Sequence, residues 1–427
     1  MPHLPLELCE LVIDSASSCG DVRTLCRCSL VCKSWFPRAR YHLFATLDLS
    51  ADWTPEANRV SEFIALLPVP PSSSASLYDN DSPNLWPATL TCAPFISTVV
   101  LAKRSWGITS VARVLARLEA AGVAPRAVVV DCPAYEPPRL CATRTPFAAC
   151  LRHLELRLHI DVPFAQLVGY VKAFERLESL CVGGSARYSV DSNAELEVEA
   201  GLPASLHALS FAGPNAATPF LHWLGATSAI SASSGFGCDL DLRSLVLHDI
   251  CTPSAWTAVL IYLSSWAARS LELLELHNCD SDAAPRELLS SFSIASLESI
   301  DELIITHKNP AAAFDGLISL LRVPPMDLSP GPESRSELHA ITLGFGNAAH
   351  TNSERRMTEL RSRWAMLDGM LRDGKRFAGL KRIDVGIWTP PASKGMHSGR
   401  RTRMMSALPE GYLYPGGLLD RVMSMDA

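Results

Sequence analysis

One apolar signature recurs from residue 96 to residue 385 and constrains what this chain can fold into. An apolar residue is followed by two others, an apolar residue, one other and a further apolar residue. The instances are Ile96/Val99/Leu101, Leu151/Leu154/Leu156, Leu177/Leu180/Val182, Leu206/Leu209/Phe211 and Leu242/Leu245/Leu247. They continue with Leu271/Leu274/Leu276, Ile300/Leu303/Ile305, Leu338/Ile341/Leu343 and Leu380/Ile383/Val385. A degenerate copy, Val128-Val129-Val130, falls between the first two. The last two apolar positions suit one face of a short strand, because side chains alternate along extended backbone. Taken at Leu101, Val130, Leu156, Val182, Phe211, Leu247, Leu276, Ile305, Leu343 and Val385, the steps are 29, 26, 26, 29, 36, 29, 29, 38 and 42. A period in this range marks a stacked array.

Between these strands the spacing becomes helical, over Ser110–Ala121, Phe164–Phe174, Ser254–Ala268, Arg286–Ser293 and Ala311–Leu321. The three long steps hold insertions. They are the Gly/Ser-rich Ser228–Gly237, the Pro/Ser-rich Pro324–Glu337 and a charged helix from Glu354 to about Gly374. One strand and one helix per unit predict an α/β array, with parallel strands on one face and helices on the other. No unit can bury its apolar face alone, so the array needs caps.

A different pattern precedes the array. Pro5 suits a first helical turn, and Leu4, Leu8, Leu11 and Val12 then recur at helical spacing. Asp21 can cap a second helix with the apolar stripe Leu25, Cys28 and Val31. Ser34 can cap a third that carries Trp35, Ala39 and Leu43. Helices this short must pack on something else. Phe44–Leu49 alternates like a strand, and Pro68–Pro83 reads as a loop or insertion.

Leu4-Pro5, Glu7-Leu8, Ile13, Asp21, Leu25, the run Cys28–Lys33, Trp35, and Arg40 with Phe44 resemble the F-box, in the version common in fungal proteins. The departure is Ser15–Gly20, a longer and more polar joint than the usual tight turn. The resemblance implies docking onto a Skp-family adaptor and, through it, a cullin, as part of a ubiquitin ligase of the SCF type. By the same resemblance Leu4, Pro5, Leu8, Ile13, Leu25, Val31 and Trp35 form the apolar positions of the fold and its adaptor contact. The plainer alternative is a helical cap on the array.

The array resembles leucine-rich repeats over about Phe95 to Trp388. It departs where that family places an Asn three residues after the last strand leucine. Those sites hold His159, Ser185, Pro214, Ile250, Cys279, Lys308 and Gly346. Without an Asn ladder for the turn backbone, irregular curvature is expected. The expected fold is therefore α/β: an N-terminal three-helix F-box followed by an irregular leucine-rich-repeat-like solenoid. The expected divisions are 1–48 F-box, 49–93 linker with one short strand, 94–390 solenoid and 391–427 basic tail. An α/β domain of another topology stays open.

Composition closes several function classes. A net charge of −6 over 427 residues, with no domain-sized basic surface, argues against nucleic acid. The 13 cysteines are odd in number, and Cys28, Cys150 and Cys181 fall inside apolar periods. They read as reduced core residues and imply a cytoplasmic or nuclear setting. No signal peptide is read. Ile250–Ala268 reaches membrane-spanning length only by counting polar residues, so a buried helix is expected and no membrane. Gly344-Phe345-Gly346-Asn347-Ala348-Ala349 superficially matches a dinucleotide fingerprint, but a repeat turn is expected there. Cys19, Cys26, Cys28 and Cys32 lack zinc-knuckle spacing, so no metal is expected. No catalytic residue and no cofactor are expected, so the chain is read as no enzyme.

The residues between strand apolar positions face the other side of the sheet. They include His153, Glu155, Arg157, Val246, His248, Glu275, His277, Glu302, Thr306, Arg382 and Asp384. In a solenoid this is the usual surface for a target protein; a merely solvated face is the alternative. Lys394 and Arg400-Arg401-Thr402-Arg403 make the tail basic, as a nuclear-localisation signal or a solvated tail. Together these readings predict a substrate-recognition adaptor whose solenoid binds a target protein. The alternatives are a non-degradative interaction scaffold and an enzyme using the concave face.

Overall fold

The computed structural model describes residues 5–19, 21–50, 62, 92–102, 108–131, 147–189, 202–234, 241–265, 268–280, 283–285, 288, 292, 294, 297, 299–321, 338–346, 354–371, 377 and 379–388. Leu4, the Pro-rich stretch at 68–83 and the tail from 391 lie outside them, as does most of the helix expected at Arg286–Ser293. The chain divides into two compact units, Met1–Pro203 and Ala204–Ala427, a break that falls inside the expected array.

The first unit opens with three helices: α1 (Leu6–Ser18), α2 (Val22–Val31) and α3 (Phe36–Phe44). Three local expectations need correction. Pro5 is the residue before α1, with extended backbone, and is not in its first turn. The polar joint from Ser15 is helical as far as Ser18, so α1 absorbs most of it. Ser34 caps nothing, because α3 starts after Trp35 and the Ser34 hydroxyl meets Cys32 Sγ at 3.0 Å. Asp21 does cap α2, its Oδ1 accepting from Thr24 N–H at 2.9 Å.

A parallel sheet follows in the order β1 (Thr46–Asp48), β2 (Thr98–Leu101), β3 (Ala127–Asp131), β4 (His153–Arg157), β6 (Ser179–Gly183). The short strand lies within Phe44–Leu49, where the alternation places it, and so before residue 49, where the expected linker begins. It ties the helices to the sheet: the Ala45 carbonyl accepts from the N–H groups of both Ser97 and Thr98. Helices α4 (Ile108–Ala120) and α5 (Phe164–Lys172) lie where the spacing places them. A separate two-stranded pair, β5 (Val162–Pro163) with β7 (Tyr188–Ser189), has no sequence signal of its own.

Among its described residues the second unit holds six parallel strands in chain order: β8 (Ala208–Ala212), β9 (Ser244–His248), β10 (Leu273–His277), β11 (Glu302–His307), β12 (Ala340–Gly346) and β13 (Arg382–Trp388). Its helices are α6 (Pro214–Ser234), α7 (Pro253–Leu263), α8 (Pro310–Leu321) and α9 (Glu354–Leu371). Gly344 and Gly346 lie in β12 itself, so the expected turn there is strand. Helix α6 runs through Ser228–Ser234, which spacing reads as an insertion.

The apolar signature forms the core of both units. Leu154, Leu156, Leu180 and Val182 are buried in the first, and Leu245, Leu247, Leu274, Leu276, Leu303, Ile341 and Leu343 in the second. Register holds them in rows: Leu247, Leu276, Ile305, Leu343 and Val385 sit side by side on β9 to β13. Leu380 departs from the pattern and is only half-buried. Cys28 is buried as expected, but Cys150 and Cys181 are only partly so.

The missing Asn ladder is replaced by backbone. The residue leaving each of four strands adopts a left-handed conformation: Gly184 (φ 99°), Gly213 (φ 99°), Asp249 (φ 55°) and Asn278 (φ 52°). Gly, Asp and Asn are the residues that tolerate it. In the second unit this turn aims an N–H at the next strand. Gly213 donates to His248 O at 2.9 Å, Asp249 to His277 O at 2.8 Å and Asn278 to Thr306 O at 2.6 Å.

Candidate functional site

The three N-terminal helices bury little and expose much. Ile13, Leu25, Cys28 and Ala39 form their core, with Ala16, Trp35 and Leu43 packed against it. Asp14 of α1 fastens the bundle to α3, accepting from Arg38 Nε at 2.8 Å, a terminal nitrogen of Arg38 at 2.7 Å and His42 Nε2 at 2.7 Å. The Arg38 guanidinium is the main reason its carboxyl titrates at about 2, and His42 adds to it while partial burial opposes it. Outside this frame Leu8 (48% exposed), Leu11 (61%), Val12 (49%), Leu30 (84%) and Val31 (61%) face solvent. Several exposed apolar side chains on two short helices are a candidate interaction surface.

The residues expected to share one adaptor contact therefore separate. Ile13 and Leu25 are interior, and Trp35 is half-buried on the core; Pro5, Leu8 and Val31 are exposed. Leu11, Val12 and Leu30 belong to the exposed set and were not among the expected residues. Leu11 and Val12 lie on the apolar stripe that the spacing gives the first helix, and that stripe faces solvent while Cys9 and Ile13 turn inward.

In the first unit the outer sheet positions form a closed charge network. Arg157 Nε donates to Glu155 at 2.8 Å and a terminal nitrogen to Asp131 at 3.1 Å. Burial works against the Arg157 charge, but the two carboxylates outweigh it and raise its pKa above the ordinary arginine value. Asp131 also meets His159 Nε2 at 3.0 Å, and His159 Nδ1 reaches Ser185 Oγ at 3.2 Å. Glu155 is buried, only 4% exposed, so this predicted contact residue is not free for a partner. His153 keeps a half-buried position beside it on β4.

In the second unit His248 and His277 occupy matching positions on β9 and β10. Their rings stack, centroids 4.6 Å apart and planes 18° off parallel. His277 Nε2 meets Glu275 at 2.8 Å and Nδ1 meets Thr306 Oγ1 at 2.7 Å. An ionised carboxylate only accepts, so Nε2 carries a proton directed at Glu275. Burial, aided by the neighbouring His277, lowers the His248 pKa to about 4, so this ring is neutral near neutral pH. Farther along, Arg382 reaches Glu302 at 3.4 Å and Asp384 at 3.0 Å. The Thr342 hydroxyl donates to Glu302 at 3.4 Å. His277 and Thr306 are buried, whereas His248, Glu275, Glu302 and Arg382 are half-buried.

These residues thus share a strand face as the alternation predicts, and strand pairing joins several of them to one another. Among the described residues no group of His, Cys, Asp or Glu could hold a metal ion. Among them, too, no helix is long and apolar enough to cross a membrane. The chain matches no protein-family model, and no curated protein matches it.

Proposed function

We propose that this chain is a substrate-recognition adaptor of a cullin-RING ubiquitin ligase. Its three N-terminal helices act as an F-box that binds a Skp-family adaptor in the cytoplasm or nucleus. The strands and helices after them act as a leucine-rich-repeat-like solenoid that binds a target protein. The observation that carries this is the exposed set Leu8, Leu11, Val12, Leu30 and Val31 on helices with their own separate core. Apolar side chains left exposed are stabilised when a partner covers them, and several on one small bundle make a candidate interaction surface. Ile13 and Leu25 then keep the fold, while Leu8 and Val31 make contact.

The mechanism is proximity: holding target and ligase on one chain raises the effective concentration of one near the other. No side chain of this protein performs chemistry in it. Co-purification from cells, comparing the full chain with a deletion of residues 1–45, tests the reading. The full chain should bring down adaptor and cullin, and the deletion should lose both while its captured target accumulates. Loss of adaptor without target accumulation supports a non-degradative scaffold; capture of adaptor by the deletion overturns the F-box reading.

A further inference from the structure

Phe36, Arg40 and Phe44 recur every four residues and so share one face of α3. The guanidinium carbon of Arg40 lies 4.5 Å from the Phe36 ring centre and 5.8 Å from that of Phe44. Both rings are exposed, at 41% and 37%. Two aromatic side chains left in water to flank one cation are costly surface unless something covers them. Contact through a ring face holds a guanidinium without using its N–H groups as donors.

Arg40 differs in this from Arg38, whose charge is spent on Asp14. Among the described residues Arg40 makes no ion pair with a carboxylate. No Asp or Glu occurs between Val22 and Phe44, a stretch that also holds Arg23, Arg27 and Lys33. Arg27 acts electrostatically on Asp21, whose carboxylate caps α2 through Thr24. The same stretch exposes Leu30 and Val31. It therefore combines bare apolar side chains with Arg40, a cation that pairs with no carboxylate among the described residues.

We infer that the α2–α3 face docks an acidic protein surface, with Arg40, held between Phe36 and Phe44, as its carboxylate-binding anchor. Arginine and aromatic residues dominate binding energy where they are pre-organised, and a guanidinium edge grips a carboxylate with two parallel hydrogen bonds. Lysine cannot reproduce that fork. That the occupant is the Skp-family adaptor rests on the function proposed above; that it is acidic rests on the charge pattern alone.

Two titrations of the full chain test this, each with wild type, Arg40→Lys and Arg40→Glu. Melting curves should stay alike, since Arg40 is half-exposed. With purified Skp-family adaptor, Arg40→Glu should weaken binding by about thirtyfold, the size of one interface anchor. Arg40→Lys should lose about tenfold, and the wild-type affinity should fall with added salt. With poly-L-glutamate as a plain acidic probe, wild type should bind at low salt and Arg40→Glu should not. Adaptor binding by Arg40→Glu equal to wild type, with the same salt dependence, overturns the inference. If wild type binds no adaptor, the adaptor reading falls, and the polyglutamate titration alone decides whether this face is an acid-docking surface.

Discussion

Leu276→Ala and Glu275→Ala remove neighbouring side chains from opposite faces of β10. Leu276 is 3% exposed and lies between Leu247 and Ile305 in the register. Truncation removes three carbons, worth about 2.4 kcal/mol of transfer at about 0.8 kcal/mol per buried methylene. The cavity left in a sheet clamped on both sides adds to this, so the total should be about 3–4 kcal/mol. Glu275 is bonded to His277, which is 7% exposed. Its removal leaves a buried N–H without an acceptor and should cost about 1–2 kcal/mol. Urea unfolding of both variants, followed by far-ultraviolet circular dichroism, checks the order. Each midpoint should move while the slope stays constant. Equal losses, or a larger loss for Glu275→Ala, would show that the strand faces are assigned the wrong way round.

Two further outcomes follow from particular residues. His248 has its folded pKa lowered to about 4 from 6.5, so the unfolded chain takes up a proton first and stability falls as pH drops from about 6.5 towards 4. The loss should be about 2–3 kcal/mol at pH 4, and His248→Gln should flatten this part of a stability-against-pH curve; an unchanged curve contradicts the assignment. Gly184→Ala places a Cβ inside the Leu158 carbonyl at φ +99°, whereas Gly213→Ala has the same φ with open space around it. The first should cost at least about 3 kcal/mol and the second about 1–2 kcal/mol; equal midpoints in urea refute the tight contact at Gly184.

The strands were legible because their apolar residues repeat with a spacing that only a half-buried strand needs. Leu245 and Leu247, or Ile341 and Leu343, announce both face and register. Helix α6 was not legible. Its residues Pro214–Ser234 include Pro219, Gly225 and many Ala, Ser and Thr, with apolar side chains on every side. A helix without a polar face has no period to detect. The N-terminal helices were readable as helices, but interior Ile13 and exposed Leu11 look alike in sequence; only tertiary packing sorts them. The outer face was legible in position and not in bonding. Glu155, Arg157 and Asp131 come together from β3 and β4 through strand pairing, which no local spacing reveals.

On the proposed function, the exposed apolar side chains of the first two helices are an adaptor-binding surface. Calorimetric titration of a purified Skp-family adaptor into wild type and into Leu8→Ala/Leu30→Ala/Val31→Ala tests it most directly. These residues are 48%, 84% and 61% exposed, so their truncation should leave the melting curve nearly unchanged. If even two are interface anchors, each worth about 2 kcal/mol, affinity should fall by at least roughly a hundredfold at about 1.4 kcal/mol per decade. Unchanged affinity, or no binding by wild type, would mean that these side chains do not form an adaptor-binding surface.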